Sequence, residues 1–261
     1  PAYYELAGSI LESSPGEAVE LARRAFRLDT ANKWYHQFYG QALIMSNRLD
    51  EALKVYRRLL ENDPKDPDNY RIVAALYEQK RSPFMALATL DSAELRFGRI
   101  PLLSAMKRRM LVATNQIGKA VDEARAMVEA APYEVQHHIV LADLYGVDGK
   151  DSLALAEYGR ALQIDSTNVQ ALMALADFHT ARQDYRSLLA VTRKLFLSDV
   201  VPLETKIKRF EQFTSDTRFY REYYFQLNDL ASTLAIRYPG DKRVVELYAG
   251  HLIASGELEQ A

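Results

Sequence analysis

The side chains that could do chemistry in this chain are few, and histidine is the first to consider. There are five histidines and no cysteine. Without cysteine there is no thiol nucleophile, no disulfide and no thiolate-ligated zinc. His137 and His138 are adjacent, so on a helix their rings point about 100° apart and cannot easily hold one ion. A His-Glu-x-x-His motif is also absent from the sequence. We therefore predict no metal site.

A glycine-rich segment is the second candidate. Gly146 and Gly149 precede Lys150, in the order of a phosphate-binding loop. That loop needs four residues between its glycines and a Ser or Thr after the lysine, and this segment has neither. A Gly-x-Ser-x-Gly nucleophile turn is absent as well. We therefore interpret 146–151 as a turn between helices, and we predict no cofactor, no catalytic residue and no enzyme activity.

Composition and charge argue against two further classes. The chain has 33 basic and 35 acidic residues, with a net charge of −2. Non-specific nucleic-acid binding needs concentrated Lys and Arg, and the longest basic cluster here is 107–109. No run of about 18 apolar residues could span a bilayer. We expect no nucleic-acid binding and no membrane insertion. The absence of cysteine and of a visible signal peptide fits the cytoplasm or a bacterial periplasm or envelope.

The strongest signal in the sequence is a repeat with one fixed period. Alanine recurs at equal intervals along the chain, and Leu188 follows the last of these alanines by the same interval. The alanines are Ala18, Ala52, Ala86, Ala120 and Ala154. A fixed period of about 20–50 residues is typical of stacked supersecondary units.

Each period predicts a helical hairpin. Within 33–66 two runs space their apolar residues at three and four, which is the helical signature. A short polar turn at 46–48 joins the runs. Pro64 ends the second run, because proline lacks an N–H and disfavours helix in the residue before it.

These residues resemble the tetratricopeptide repeat (TPR) family. Its marks are a small residue in the first helix, an Ala early in the second, an aromatic four residues later and a closing proline; here they are Gly40, Ala52, Tyr56 and Pro64. Leu59 departs from the family's preference for a small residue. The resemblance covers nearly the whole chain. It implies an all-α, right-handed superhelical solenoid of about seven hairpins, the last truncated, with about fourteen helices and no sheet.

We divide a single solenoid over 1–261 into units 1–32, 33–66, 67–100, 101–134, 135–168, 169–202, an enlarged 203–241 and a partial 242–261. Strict counting puts Lys107 and Arg108 at inward positions of unit 101–134, so we expect a register shift of one there. The enlarged unit is expected to hold a longer helical pair. The partial unit matches the repeat at Gly256 and Ala261 and then stops, which predicts a piece of a longer protein. His36, His138 and His179 fall at inward positions and are expected to pack in the core.

The resemblance places the first helix of each hairpin on a concave side, where a peptide or partner helix would bind. The predicted groove residues are Gln37, Gln41, Arg71, Glu78, Arg109, Asp143 and Asp177. Ile139 is also counted as outward, and Arg108 replaces Arg109 if the register shifts. The arginines lie in the early half and the aspartates in the later half. Such a division of charge favours orientation and association rate more than affinity.

The aromatic segment 219–225 leaves an alternative open. Phe219 and Tyr223 lie beside a helical stripe formed by neighbouring apolar residues. They either pack inside the enlarged unit or form a partner patch, because Tyr and Phe are common interface anchors.

Two functions remain. The first is a non-catalytic scaffold that binds a peptide or partner helix in its groove. The alternative is an accessory helical-repeat segment of a larger enzyme or of a secretion or assembly complex, whose active part lies outside this chain.

We predict that neither zinc nor ATP stabilises the folded chain, because the sequence offers neither ligand a complete set of binding groups. A ligand present at a hundred times its dissociation constant adds about 2.7 kcal/mol to the free energy of unfolding. Thermal melting with and without each ligand measures this directly. A clear rise in melting temperature with either one would contradict our interpretation of the histidines and of 146–151.

Overall fold

The structure, a computed structural model, describes residues 2–255 and contains sixteen α-helices and no strand over that range. The helices are α1 (Ala2–Ile10), α2 (Pro15–Leu28), α3 (Lys33–Met45), α4 (Leu49–Asn62), α5 (Pro67–Gln79), α6 (Pro83–Phe97), α7 (Pro101–Ala113), α8 (Ile117–Ala130), α9 (Val135–Val147), α10 (Asp151–Ile164), α11 (Val169–Ala181), α12 (Tyr185–Leu197), α13 (Leu203–Thr214), α14 (Thr217–Glu222), α15 (Tyr224–Arg237) and α16 (Lys242–Ser255). The all-α prediction is confirmed.

The turn inside each hairpin recurs at a strict interval. One residue with positive φ lies in each of five successive turns: Asn47, Arg81, Asn115, Gly149 and Gln183. The N–H of the following residue donates to a carbonyl five residues back, as Arg48 does to Leu43 at 2.8 Å. This left-handed cap satisfies carbonyls that the helix end leaves free. Gly149 belongs to the series, so the predicted turn between helices is confirmed at 148–150, with the flanking residues of 146–151 in α9 and α10.

Small residues allow the two helices of a hairpin to approach closely. The five periodic alanines, from Ala18 to Ala154, are each 0% exposed. At Gly40 an added Cβ would lie 2.5 Å from the ring of Tyr56, so α3 and α4 could not meet as they do with a larger residue there. The Tyr56 hydroxyl donates to the Gln37 carbonyl at 3.2 Å and fixes the ring.

The register shift predicted for unit 101–134 is wrong. Helices α5, α7 and α9 begin at 67, 101 and 135, so the period is kept. Lys107 and Arg108 therefore do point inward, with the Lys107 side chain 15% exposed and Arg108 8% exposed. The apolar side chains of Leu103, Met106 and Met110 on the same helix are buried as well.

Lys107 is tolerated inside because three carboxylates surround it. Its ammonium nitrogen lies 3.0 Å from Asp91 and 3.0 Å from Glu123, and it also bonds Glu94. Burial opposes the charged form of Lys107, but the hydrogen bonds to these carboxylates outweigh burial and raise its pKa. Burial likewise opposes ionisation of Glu94, and the bonds from Lys107 and Arg99 overcome it and lower the pKa of that carboxyl.

The helices group into two compact units. Unit 1 runs to Glu123 and unit 2 starts at Ala124, within α8. In unit 1 the hairpins α1–α2, α3–α4 and α5–α6 pack on their sequence neighbours. In unit 2 the hairpin α9–α10 packs on α11, and α12 packs on α15. The single solenoid over 1–261 stays a prediction.

The enlarged unit 203–241 differs from the longer helical pair that the sequence predicts. It contains three helices, α13, α14 and α15, which brings the total above the predicted fourteen. Asp216 caps the short helix α14 by accepting from the N–H groups of Arg218 and Phe219. Helix α13 still begins one full period after α11, at 203 against 169, so the extra length is inserted after it. Gly256 and Ala261 lie outside the described residues.

Two further expectations concern buried and apolar residues. His36, His138 and His179 are buried, as predicted from their inward positions. Within residues 2–255, none of the helices combines the length and apolar character needed to cross a membrane.

We predict that Lys107→Met destabilises the fold at neutral pH by about 1–3 kcal/mol, because it leaves partly buried carboxylates without their donor. The lowered pKa of Glu94 contributes stability above its unfolded value of about 4.3, and this contribution is lost as pH falls through the folded pKa. The difference from wild type should therefore shrink below about pH 4. Urea unfolding across pH measures it, with the exposed Lys119→Met as control. A deficit that does not change with pH would contradict the ionic explanation.

Candidate functional site

In each compact unit the first helices of the hairpins expose outward residues, and we call this surface the first-helix face of the unit. In unit 1 it carries an open pocket of about 520 Å³ between α3 and α5. Gln37, Gln41 and Arg71 line this pocket, and Tyr56 lies among its walls. Burial raises the pKa of the Tyr56 hydroxyl to about 12, so it remains a hydrogen-bond donor at physiological pH. Three of the predicted groove residues are thus brought together.

The two arginines predicted for the groove in unit 1 are already paired. Arg71 bonds Asp68 at 2.5 Å on the same helix, and Arg109 bonds Glu78 at 2.5 Å across neighbouring hairpins. Of the two predicted candidates, Arg109 is exposed and Arg108 is buried, as the strict register requires. The unit 1 part of the face therefore offers neutral carboxamides and compensated charge.

The two aspartates predicted for the groove in unit 2 are not compensated in this way. Asp143 and Asp177 are exposed, and neither forms an ion pair among the described residues. Asp143 accepts a hydrogen bond from the Tyr158 hydroxyl. Desolvation by the surrounding protein raises the pKa of Asp143, and Asp177 adds to the rise, while the bond from Tyr158 opposes it. The two carboxylates therefore repel each other.

The strict period adds a third carboxylate that the sequence analysis missed. Glu211 on α13 follows Asp177 by one period, as Asp177 follows Asp143. It is exposed and likewise has no ion pair among the described residues. Continued counting past Pro202 would have found it, because α13 keeps the phase. Ile139, counted as outward, is instead 4% exposed and belongs to the core.

Two pockets adjoin these carboxylates in unit 2. The smaller, about 120 Å³, lies between α11 and α13 and includes Asp177 in its lining. The larger, about 680 Å³, lies between α13 and α16 and includes Glu211. In the larger pocket the Tyr220 hydroxyl bonds Nδ1 of the buried His251 at 2.8 Å.

The aromatic candidates lie in a cluster of rings. Phe219 and Tyr223 are half-buried, with ring centroids 4.7 Å apart. Phe219 also packs edge-on against Tyr185 and stacks on Phe213. One side of Phe219 faces an open pocket of about 220 Å³, which Tyr223 does not line. Packing against neighbouring residues therefore covers most of the surface of both side chains.

The described residues contain no group of three His, Asp or Glu side chains placed to hold a metal ion. One polar cluster of these residues is buried around His138 and Glu157. His138 lies with Nδ1 2.7 Å from Glu157 and Nε2 2.9 Å from the Pro132 carbonyl. Arg160 also bonds Glu157, so this cluster is a packed ion network.

Helical hairpins that recur at one fixed period, meet at small residues and leave a polar first-helix face define a helical-repeat protein. Residues 10–76 match the family described as tetratricopeptide repeat. A solved tetratricopeptide repeat protein from Parabacteroides merdae has a TM-score of 0.61 over 96% of this chain and 98% of that chain, at 14% identity. The family match and the shared fold together support a tetratricopeptide repeat protein.

Two curated proteins are also similar. Putative cellulose synthase operon protein C of Escherichia coli O157:H7 is 24% identical over 198 residues, which is 73% of this chain. Human protein O-mannosyl-transferase TMTC1 is 24% identical over 152 residues, or 57% of this chain. The chain spans 17% of the length of each of these two proteins.

We predict opposite effects of two substitutions on the titration of Asp143. Asp177→Asn should lower the pKa of Asp143 by removing a neighbouring negative charge, and Tyr158→Phe should raise it by removing a stabilising donor. Carboxyl chemical shifts followed by NMR against pH measure both, with Glu129→Gln as a charge-matched control. An unchanged Asp143 titration in Asp177→Asn would mean that the carboxylates do not interact.

Proposed function

We propose that the chain is a non-catalytic interaction scaffold that binds a peptide or a partner helix on its first-helix face. The observation that carries this proposal is the pocket between α3 and α5, which gathers Gln37, Gln41 and Arg71. A carboxamide both donates and accepts hydrogen bonds, so the two glutamines suit the polar groups of another polypeptide. Hairpin repeats hold such groups on rigid helices, which limits the entropy lost on binding.

The charges on the first-helix faces of the two units support selectivity. In unit 1 Asp68 and Glu78 compensate Arg71 and Arg109, so a partner must compete with internal pairs there. In unit 2 Asp143 and Asp177 have no such pair among the described residues. Exposed charges of this kind steer association and set orientation.

A second candidate is an accessory segment of a larger enzyme or of a secretion or assembly complex. The observation that favours it is the short span of the match, 17% of proteins whose names refer to a cellulose synthase operon and to mannosyl transfer. A catalytic motif encoded beside this segment in its complete gene would support this candidate. A partner that binds this segment alone would support the scaffold.

The two candidate surfaces can be compared on one captured partner. Affinity capture with the chain, followed by identification, supplies that partner. We expect Arg71→Glu and Asp177→Lys to weaken binding and to change its salt dependence, because exposed charges are screened over about 10 Å at 0.1 M salt. Stability should change by no more than about 0.5 kcal/mol, as is usual for surface substitutions.

Phe219→Ala and Tyr223→Ala serve as the competing pair. If both abolish binding while the charge reversals leave it intact, the aromatic patch is the binding surface and the first-helix proposal fails. Melting curves of all four variants are needed, since the half-buried rings of Phe219 and Tyr223 also contribute to packing.

A further inference from the structure

The pocket between α11 and α13 is small and mainly apolar. Its volume of about 120 Å³ is lined by Met173, Ala176, Leu195, Phe196 and Val201, among others. A cavity of about 150 Å³ holds a benzene ring, so this one suits a single aliphatic side chain. Met173 is 54% exposed, which leaves part of this apolar wall open to solvent.

The acidic side chains around this pocket determine which residues of a partner can flank the aliphatic side chain that fills it. Asp177 belongs to the pocket lining. Asp143 and Glu211 occupy the equivalent position one repeat before and one repeat after. None of the three forms an ion pair among the described residues. We call these three residues the carboxylate column, because they recur at one position of successive first helices, and a partner with positive charge would pair with them.

Two cations also adjoin the pocket, and both have other contacts. Lys206 is 0% exposed, and its ammonium donates to the Ser198 carbonyl at 2.7 Å and to the Tyr238 hydroxyl at 2.8 Å. The guanidinium of Arg209 lies over the Phe213 ring, 5.4 Å from its centroid. Lys206 is therefore inaccessible, and the charges left near the apolar wall are three exposed carboxylates and one half-buried guanidinium, that of Arg209.

We propose that this part of unit 2 binds a protein segment in which one aliphatic side chain is flanked by lysine or arginine. The aliphatic group fills the pocket, and the flanking cations pair with Asp177 and its neighbours in the column. The proposal rests on the proposed function and adds the chemistry of the partner. An acidic segment would meet the carboxylate column and be repelled.

Four short fluorescein-labelled peptides test the chemistry by fluorescence anisotropy with the full chain. Their cores are Lys-Leu-Lys, Gln-Leu-Gln, Glu-Leu-Glu and Lys-Gly-Lys. We expect the first to bind most tightly and to weaken as salt is added, because the screening length falls to about 3 Å at 1 M. Equal or tighter binding of Glu-Leu-Glu would overturn the proposal and point to Lys206 and Arg209 as the recognition groups. Failure of Lys-Leu-Lys to bind would overturn it as well.

Two variants separate charge from shape. Asp177→Asn should weaken binding of Lys-Leu-Lys about fivefold, the upper range for an exposed ion pair, and should reduce its salt dependence. Thr205→Trp places a large ring at an exposed position of the pocket lining. It should remove the preference for Lys-Leu-Lys over Lys-Gly-Lys and leave the preference over Gln-Leu-Gln.

Glu129→Gln is the matched control, since it removes one exposed carboxylate on α8, outside the first-helix face. It should bind like wild type, and unchanged binding by Asp177→Asn would overturn the inference. The proposed function is judged separately by the captured partner and Arg71→Glu in unit 1. If Arg71→Glu weakens binding of the captured partner while Lys-Leu-Lys and Glu-Leu-Glu bind equally well, the inference fails and the proposed function stands.

Discussion

Close contact between the two helices of each hairpin is the constraint on which the rest of the structure depends. The periodic alanines are buried without exposed surface, and Gly40 leaves room for the Tyr56 ring where a Cβ would collide. Protein interiors are close-packed, so such contacts tolerate little change in volume. From α3 to α13 this contact recurs in hairpins of equal length. The strict period of helix starts and of left-handed turn residues follows from it.

A strict period also decides where charge must go. Lys107 stands at an inward position, and the chain does not shift its register to remove it. Instead Asp91, Glu94 and Glu123 surround its ammonium group. On the outward side, the same period places Asp143, Asp177 and Glu211 at equivalent positions. None of the three forms an ion pair with a cation of the described residues. One geometric rule therefore produces a compensated ionic cluster inside and an uncompensated acidic column outside.

The fold and the hairpin turns could be predicted from the sequence because both depend on local signals. Alanine spacing, helical periodicity and the glycine at Gly149 each act within one unit. The ionic cluster could not be predicted, because Lys107 alone favours a shift and its partners come from other helices. The Arg71–Asp68 pair lies three residues apart on one helix and was open to prediction, whereas Arg109–Glu78 joins two hairpins. Glu211 was not predicted because the enlarged unit breaks the repeat pattern after Pro202, and α14 carries no repeat signature that shows where the extra length lies.

The pairing of each helix with its sequence neighbours has a kinetic consequence. Helices α3 and α4, α5 and α6, and α9 and α10 contact each other across turns of a few residues. Closing such short loops costs little chain entropy, and proteins with mostly local contacts fold in microseconds to milliseconds. Folding in such an array can nucleate at any hairpin and propagate to the next. A lesion in one repeat should then stall that propagation locally, so that the hairpins on either side still form at nearly their normal rate.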